Sequence, residues 1–357
     1  LIAFSWTEYK NFLQILALIG TYSFNLLSIT FFLAPSIIFF NKSFRLKIMF
    51  NILLIFFIGI NFYYGKQVIN NYNKEKSIAL DTNIKIVSPN IKLDRFFRNE
   101  DPSIIINELI ELSKPSKDSE IFIFPEGILA NIFLNDLHIY KENFNNNFSN
   151  NHKILIGINS YENSKIYNSM VVFDNNLNIL AKYNKNKLVP FGEFLPFEKI
   201  FSKIGLKKIT QGYISFSPAY ERNILELNNL KLLPLICYEI IYTGRLNKSR
   251  QEFNFIINIS EDGWFGNSIG PHQHFSHSIF RSIEEGKDII RSTNGGISAH
   301  ISATGEVLKK IKSTDKGVIE VKSYKKTSKT FFSTQGNKIF FYFLLFYISL
   351  IFFLKKK

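Results

Sequence analysis

Between Ile19 and Phe40 the chain runs for 22 residues without a charged side chain, and no other feature limits its fold as much. At about 1.5 Å per residue a helix here would span about 33 Å, enough to cross a hydrocarbon core of about 30 Å. A buried core helix is the alternative, but so long an uncharged run is the usual threshold for a spanning helix. Ile48 to Tyr64 forms a second run of 17 residues, closed by Tyr63 and Tyr64, which suit the membrane interface. A third, Ile339 to Leu354, has 16 residues and stops at Lys355, Lys356 and Lys357.

Charge sets an orientation. Lys42, Arg45 and Lys47 lie between the first two runs, and three lysines follow the third. The positive-inside rule places both groups on the cytoplasmic side, and counting crossings puts everything from about Lys66 to Lys338 on the opposite face. The spacing therefore predicts a transmembrane region over 1–65, with spans at about 19–40 and 48–64. A domain over 66–330 follows, and then a C-terminal transmembrane helix over 338–357 with cytoplasmic lysines. The first residue is Leu and Leu1 to Leu18 is largely apolar, which predicts a C-terminal portion of a longer protein. No secretory signal with a cleavage site is visible.

Composition narrows the classes further. With 46% hydrophobic residues, including 38 Phe and 16 Tyr, the chain carries too much apolar surface to stay disordered. Its single cysteine excludes an internal disulfide scaffold. A formal charge of +14 is compatible with nucleic acid, a membrane surface or a Lys/Asn-biased composition. Six of the basic residues are the topological ones named above, which favours the membrane.

Residues 83 to 322 read as an α/β domain. Short β-rich runs recur at Ile84–Val87, Ile121–Phe124, Ile154–Ile158, Met170–Phe173, Leu230–Ile236, Phe255–Ile259 and Ile297–Ile301. Asp101-Pro102 predicts an N-cap with proline at the first helical position, followed by Ile105, Leu109 and Leu112 at helical spacing. A second helix is expected from about Pro271 to Lys287. Glu142 to Asn151 is Asn-rich and predicts a surface loop.

Three strand-associated residues can carry chemistry. Cys237 closes the run Leu232-Leu233-Pro234-Leu235-Ile236 and precedes Tyr238-Glu239. A buried cysteine acting as a small hydrophobe is the plain alternative. Placement where a strand must turn favours a nucleophile, because such a turn exposes the side chain and aims backbone N–H groups at the same point. Glu126 follows Ile121–Phe124, at the carboxyl end of a strand where open α/β sheets bind ligands. Lys185 lies in a basic stretch. Taken singly, Glu126 and Lys185 are ordinary solvated residues; their order with Cys237 is the signal.

That order, Glu126 then Lys185 then Cys237, resembles the nitrilase superfamily, whose fold is an αββα sandwich. The strings Phe124-Pro125-Glu126-Gly127, YNKNKLVPFGEFLP from Tyr183 to Pro196, Ile236-Cys237-Tyr238-Glu239-Ile240, Trp264-Phe265-Gly266 and Arg291-Ser292-Thr293-Asn294-Gly295 are similar to those of the apolipoprotein N-acyltransferase family. Residues 80 to 325 carry the resemblance, with the flanking spans matching in arrangement. The chain departs from the family at Ser260-Glu261-Asp262-Gly263, where Ser-Asn-Asp-Ala is usual, and at an early tryptophan whose place falls to Phe96 or Phe97.

The resemblance implies a nitrilase-like sandwich flanked by transmembrane helices, in the bacterial inner membrane, with the catalytic domain on the periplasmic face. It implies transfer of a fatty acyl chain from a phospholipid, through a thioester on Cys237, to the N-terminal amine of a diacylglyceryl-cysteine on an apolipoprotein. Glu126 would be the general base. Lys185 would lower the thiol pKa and, with the Tyr238 N–H, hold the oxyanion. Glu193 would orient Lys185 or assist proton transfer, and Glu239 would support the turn after Cys237 or form a structural ion pair. No cofactor or metal is called for. His272, His274 and His277 form an H-x-H-x2-H cluster that lacks a completing ligand, and His274 reads as structural. No nucleic-acid partner is expected. The alternative functions are a membrane-tethered amidase acting on a small amide, with water as acyl acceptor, and a silent membrane protein that binds anionic lipid through its lysines.

Overall fold

The structure, a computed structural model, describes residues 1–39, 43–98, 100–196, 215–227, 229–244, 246–247 and 251–355. Phe40, Lys42, Lys356 and Lys357, used above for span limits and topology, lie outside them.

Two six-stranded sheets pack face to face. The first has the order β12-β1-β2-β3-β4-β5 and the second β11-β10-β9-β8-β7-β6. In chain order these are β1 Ser77–Ser88, β2 Glu120–Ile123, β3 His152–Glu162, β4 Lys165–Phe173, β5 Ile179–Asn184, β6 Leu225–Leu227, β7 Leu230–Ile236, β8 Phe255–Glu261, β9 Asp288–Asn294, β10 Ser298–Ile301, β11 Val307–Ile311 and β12 Gly317–Lys325. Each sheet has a parallel centre, β1-β2-β3 in one and β7-β8-β9 in the other, flanked by antiparallel strands. The core between the sheets is almost wholly aliphatic, with Ile84, Ile86, Ile121, Ile123 and Leu155 facing Leu232, Ile236, Ile257, Ile259 and Ile290. Burying such aliphatic side chains contributes about 1.5–3 kcal/mol each. Ser292 Oγ donates to the Val87 carbonyl at 2.7 Å, tying β9 to β1 across the layers near their carboxyl ends.

Helices cover both outer faces and complete the αββα sandwich expected from the sequence. Outside the first sheet lie α4 (Pro102–Ser113) and α5 (Lys141–Asn147). Asp101 caps α4 by accepting from Ser103 N–H at 2.9 Å, with proline at its start. The segment Glu142 to Asn151 is not the loop its composition predicts. Its first part belongs to α5, because Phe144 and Phe148 bury themselves and Phe148 packs edge-on against Phe122 at 4.9 Å. Outside the second sheet lies α6 (Gly270–Glu285), amphipathic with Phe275, Ile279, Phe280 and Ile283 turned inward.

The apolar runs are helices. After the short α1 (Lys10–Leu13) come α2 (Leu16–Leu33), continued by a 3-10 segment to Phe39, and α3 (Phe44–Lys74). Both are long and apolar enough to cross a membrane. The third run is α8 (Lys338–Lys355), which follows the short α7 (Phe331–Gln335). The second run is only the middle of α3, whose 31 residues reach about 46 Å and so outlast a bilayer core of about 30 Å.

Each long helix has one end fixed to the sandwich. α2 breaks at Gly20, whose φ of 72° belongs to the left-handed region. A Cβ there would meet the Phe332 ring at 2.0 Å, so glycine is required on two counts. The break frees the Thr21 N–H, which donates to Glu284 Oε1 of α6 at 2.6 Å. Lys325 of β12 caps the far end of α3 by donating to the carbonyls of Tyr72 and Asn73. α8 runs alongside α2 in the same direction, with Tyr22 against Phe340 and Thr30 Oγ1 2.8 Å from Tyr347 Oη. Phe39, at the end of the segment that continues α2, Phe44, at the start of α3, and the C-terminal end of α8 therefore all lie away from the sandwich.

Candidate active site

Strand ends bring the three sequence candidates together. β2 stops at Ile123 and the chain turns through Phe124-Pro125-Glu126-Gly127. β3 passes directly under this turn at Gly157, where a Cβ would lie 2.5 Å from Glu126 Cα and 2.9 Å from the Pro125 carbonyl. Only glycine permits that approach. Lys185 follows the last residue of β5, and its N–H donates to the Asn168 carbonyl of β4 at 2.8 Å. Cys237 follows β7 and opens the 3-10 turn Cys237–Ile241. Its φ is +49°, a left-handed conformation that costs a side-chain-bearing residue about 1–3 kcal/mol.

A buried charge cluster joins the first two residues. Lys185, 1% exposed, donates to Glu126 Oε1 at 3.1 Å and to Glu193 Oε1 at 3.0 Å. The Asn168 side-chain amide donates to the same two oxygens, at 2.7 Å each. Glu126 Oε2 accepts the Glu261 N–H at 2.9 Å, and Glu193 Oε2 accepts the Val189 N–H at 2.8 Å. One ammonium is thus held between two carboxylates that are themselves almost fully hydrogen-bonded, the condition under which buried charges persist.

Protonation follows from these contacts. Burial alone would raise the Glu126 carboxyl, but the Lys185 charge and the Asn168 and Glu261 donors outweigh it, so the carboxyl is held below its ordinary range. Burial would lower Lys185, yet the Glu126 and Glu193 charges carry it well above its ordinary value. For Cys237, burial and then the Glu126 charge push the thiol well above normal, with Lys185 opposing them. Lys185 acts on the thiol in the direction the sequence suggests, but the net shift is upward. Cys237 rests as a thiol and needs a base during attack.

Glu239 is fully buried and braces the cysteine turn. Its Oε2 accepts the Ile236 N–H at 2.8 Å. Its Oε1 accepts from the Tyr183 hydroxyl at 2.6 Å, the Asn186 and Lys187 N–H groups at 3.0 and 3.1 Å, and Arg222 at 2.9 Å. It therefore both supports the turn and forms an ion pair, linking Cys237 to the loop after Lys185. Tyr238 is half-buried, its ring edge-on to Tyr242 at 5.6 Å.

The histidines separate. His272 is exposed, His274 points at the cysteine turn, and His277 packs on Phe4 at 4.4 Å, its pKa lowered to about 3 by burial and Arg281. Among the described residues no group of three or more His, Cys, Asp or Glu side chains could hold a metal.

Sequence reasoning missed Asn168, Arg95 and Arg222. The early loop residue Phe96 packs tilted against Trp264 at 4.9 Å, and the buried Arg95 beside it forms an ion pair with Glu261. Asn294 also donates to Glu261, at 3.0 Å. Burial lifts Glu261 to about 7 in spite of Arg95. The departure at Glu261 thus comes with a cation to meet it.

The profile of the family described as Carbon-nitrogen hydrolase matches residues 106–324, a stretch that takes in the whole second sheet, most of the first and all three candidates. This defines the class, and the two-sheet sandwich agrees with it. Among curated proteins, an apolipoprotein N-acyltransferase of Rickettsia prowazekii is 30% identical over 99% of this chain and 72% of its own length. One from Rhizobium leguminosarum is 42% identical over 41% of this chain, a match that spans 27% of that protein's length. The chain belongs to the apolipoprotein N-acyltransferase family of the nitrilase superfamily. A solved CN-hydrolase superfamily protein from Xanthomonas campestris superposes with a TM-score of 0.48 at 13% identity, over 69% of this chain and 91% of that one.

Proposed function

We propose that this chain carries the acyl-transfer site of an apolipoprotein N-acyltransferase, with Glu126, Lys185 and Cys237 as its catalytic residues. The observation that carries the reading is the meeting of a buried Glu126–Lys185 pair with a strained, protonated Cys237 at the strand ends. Glu126 takes the thiol proton as Cys237 Sγ bonds to the ester carbonyl carbon of a phospholipid. Lys185 and the Tyr238 N–H stabilise the oxyanion, and losing one such donor typically costs about 2.7–4 kcal/mol. The C–O bond breaks, and lysophospholipid leaves with the proton returned by Glu126. The α-amine of a diacylglyceryl-cysteine then attacks the thioester, its N–C bond forms as the C–S bond breaks, and Glu126 relays its proton to the departing thiolate. Glu193 holds Lys185, and Glu239 holds the turn.

The helices support a membrane setting. We assign 1–65 and 338–357 to the membrane and 66–330 to the catalytic domain. Because α2, α3 and α8 each meet the sandwich at one end, Arg45 and Lys47 at the start of α3 lie on the same far side as the C-terminal end of α8, which supports a periplasmic domain under the charge rule. A site held against a bilayer suits lipid donors better than a small soluble amide.

The test is to incubate purified protein with phospholipid and look by mass spectrometry for an acyl adduct on Cys237. An adduct that a diacylglyceryl peptide discharges supports the transferase. Discharge by water at the same rate with and without peptide would leave the amidase reading instead.

A further inference from the structure

The backbone at Cys237 is held from an unexpected side. His274, on α6 and 5% exposed, donates through Nε2–H to the Cys237 carbonyl at 3.2 Å. Its Nδ1 lies 2.8 Å from Asp262 Oδ1. Asp262 is fully buried and is fixed in turn by the Ser260 hydroxyl at 2.6 Å and by Arg291 at 2.7 Å. Arg291 is further hydrogen-bonded to Asn258 and to the Ile297 carbonyl. The imidazole is therefore a rigid post, anchored at one nitrogen and spending the other on the cysteine's own backbone.

The carbonyl of Cys237 and the N–H of Tyr238 belong to one planar peptide group, so the two bonds point in opposite directions. Fixing one aims the other. Hydrogen bonding to the carbonyl also polarises the amide and strengthens its N–H as a donor. We propose that His274 is a positioning residue that aims and polarises the Tyr238 N–H toward the oxyanion formed at Cys237. This rests on the reading that Cys237 is acylated. It explains how a cysteine at φ +49° keeps a single geometry: Glu239 holds the N–H of Ile236, the residue before it, and His274 holds the peptide after it.

Two substitutions separate this role from simple support. His274→Gln can place an amide N–H near the Nε2 position and keep the donation to Cys237 while giving up Asp262. His274→Asn can keep the Asp262 contact, near the Nδ1 position, and lose the donation. The full chain in detergent would be acylated with p-nitrophenyl butyrate, reading the nitrophenol burst at saturating ester, and Cys237 would be alkylated separately with iodoacetamide, which forms no oxyanion. We expect His274→Asn to slow the burst about ten- to a hundredfold, less than outright loss of a donor. His274→Gln should recover most of that rate, and alkylation should stay within about twofold in both variants. A normal burst in His274→Asn, a Gln variant no faster than Asn, or alkylation falling in step with the burst would each overturn the proposal. Native protein that alkylates at Cys237 yet shows no burst would instead remove the acylation reading on which it rests.

Discussion

Lys185 stands as close to Glu193, at 3.0 Å, as it does to Glu126, at 3.1 Å, so its ammonium is shared between two carboxylates. The second carboxylate keeps Lys185 charged and fixed while Glu126 is free to change its protonation.

Glu193→Gln should therefore weaken acylation without removing it. The amide cannot accept from Lys185 and Asn168 as the carboxylate does, and leaves the ammonium tilted toward Glu126. A hydrogen bond to a charged group contributes about 1.5–3 kcal/mol, so the expected loss in acylation rate is about ten- to a hundredfold, with little change in KM. Single-turnover acylation of the purified variant checks this, and an unchanged rate would show that Glu193 is dispensable.

Lys185→Ala should abolish adduct formation on Cys237 while membrane insertion persists. It also leaves Glu126 and Glu193 facing each other without a cation in a buried site, where losing one partner typically costs about 3–5 kcal/mol. Intact-protein mass spectrometry and thermal unfolding read the two effects separately. Normal acylation in this variant would remove Lys185 from the mechanism.

The raised thiol of Cys237 fixes a pH dependence. Iodoacetamide should alkylate it slowly at pH 7, with an inflection above the value of about 8.5 for a free cysteine. Stability follows the neighbouring pair. Glu126 is depressed relative to an unfolded value near 4.3, so its contribution is present above that pH and is lost as the pH falls through the folded pKa. Lys185 is raised, so its contribution is present below about 10.4 and is lost as the pH rises through its folded pKa. Alkylation rates and thermal unfolding measured across pH check both signs; an alkylation inflection below 8.5 would falsify the resting-thiol assignment.

Much of this site was legible because it sits where apolar strands end. Ile121–Phe124 and Leu230–Ile236 stand out as runs of large aliphatic and aromatic side chains, so the polar residue that follows each is conspicuous. β9 was not among the strand runs: Arg291, Ser292, Thr293 and Asn294 are all buried, but they are polar and lack the apolar pattern that marks a strand in sequence. Asn168 escaped notice because its two carboxylate partners are 25 and 42 residues away. In α5, by contrast, six asparagines between positions 143 and 151 masked the two phenylalanines that decide its placement.

The Arg95–Glu261 pair should behave as a unit. Glu261→Asn restores the residue usual in the family but leaves Arg95 buried without its carboxylate, so we expect destabilisation of about 3–5 kcal/mol. Adding Arg95→Met should recover much of that loss, because the uncompensated charge is gone. A double-mutant cycle from unfolding measurements tests the coupling, and additive losses would show the two residues to be independent.

Glu284 should govern how firmly the first long helix is joined to the sandwich. It is fully buried and accepts from the Thr21 N–H and hydroxyl at 2.6 and 2.7 Å and from the Thr243 hydroxyl at 2.7 Å, with Arg281 Nε 3.1 Å away. Glu284→Ala leaves Arg281 buried without its carboxylate and the Thr21 N–H, freed by the break at Gly20, without an acceptor. The expected cost is again about 3–5 kcal/mol, concentrated at the junction and not at the strand ends that carry Glu126 and Cys237. Limited proteolysis in detergent should then cut near residues 18–24 well before the sandwich unfolds, while iodoacetamide still finds Cys237 at close to the native rate. If cleavage and Cys237 reactivity change together, the junction and the site are one cooperative unit and the localised weakening argued here does not occur.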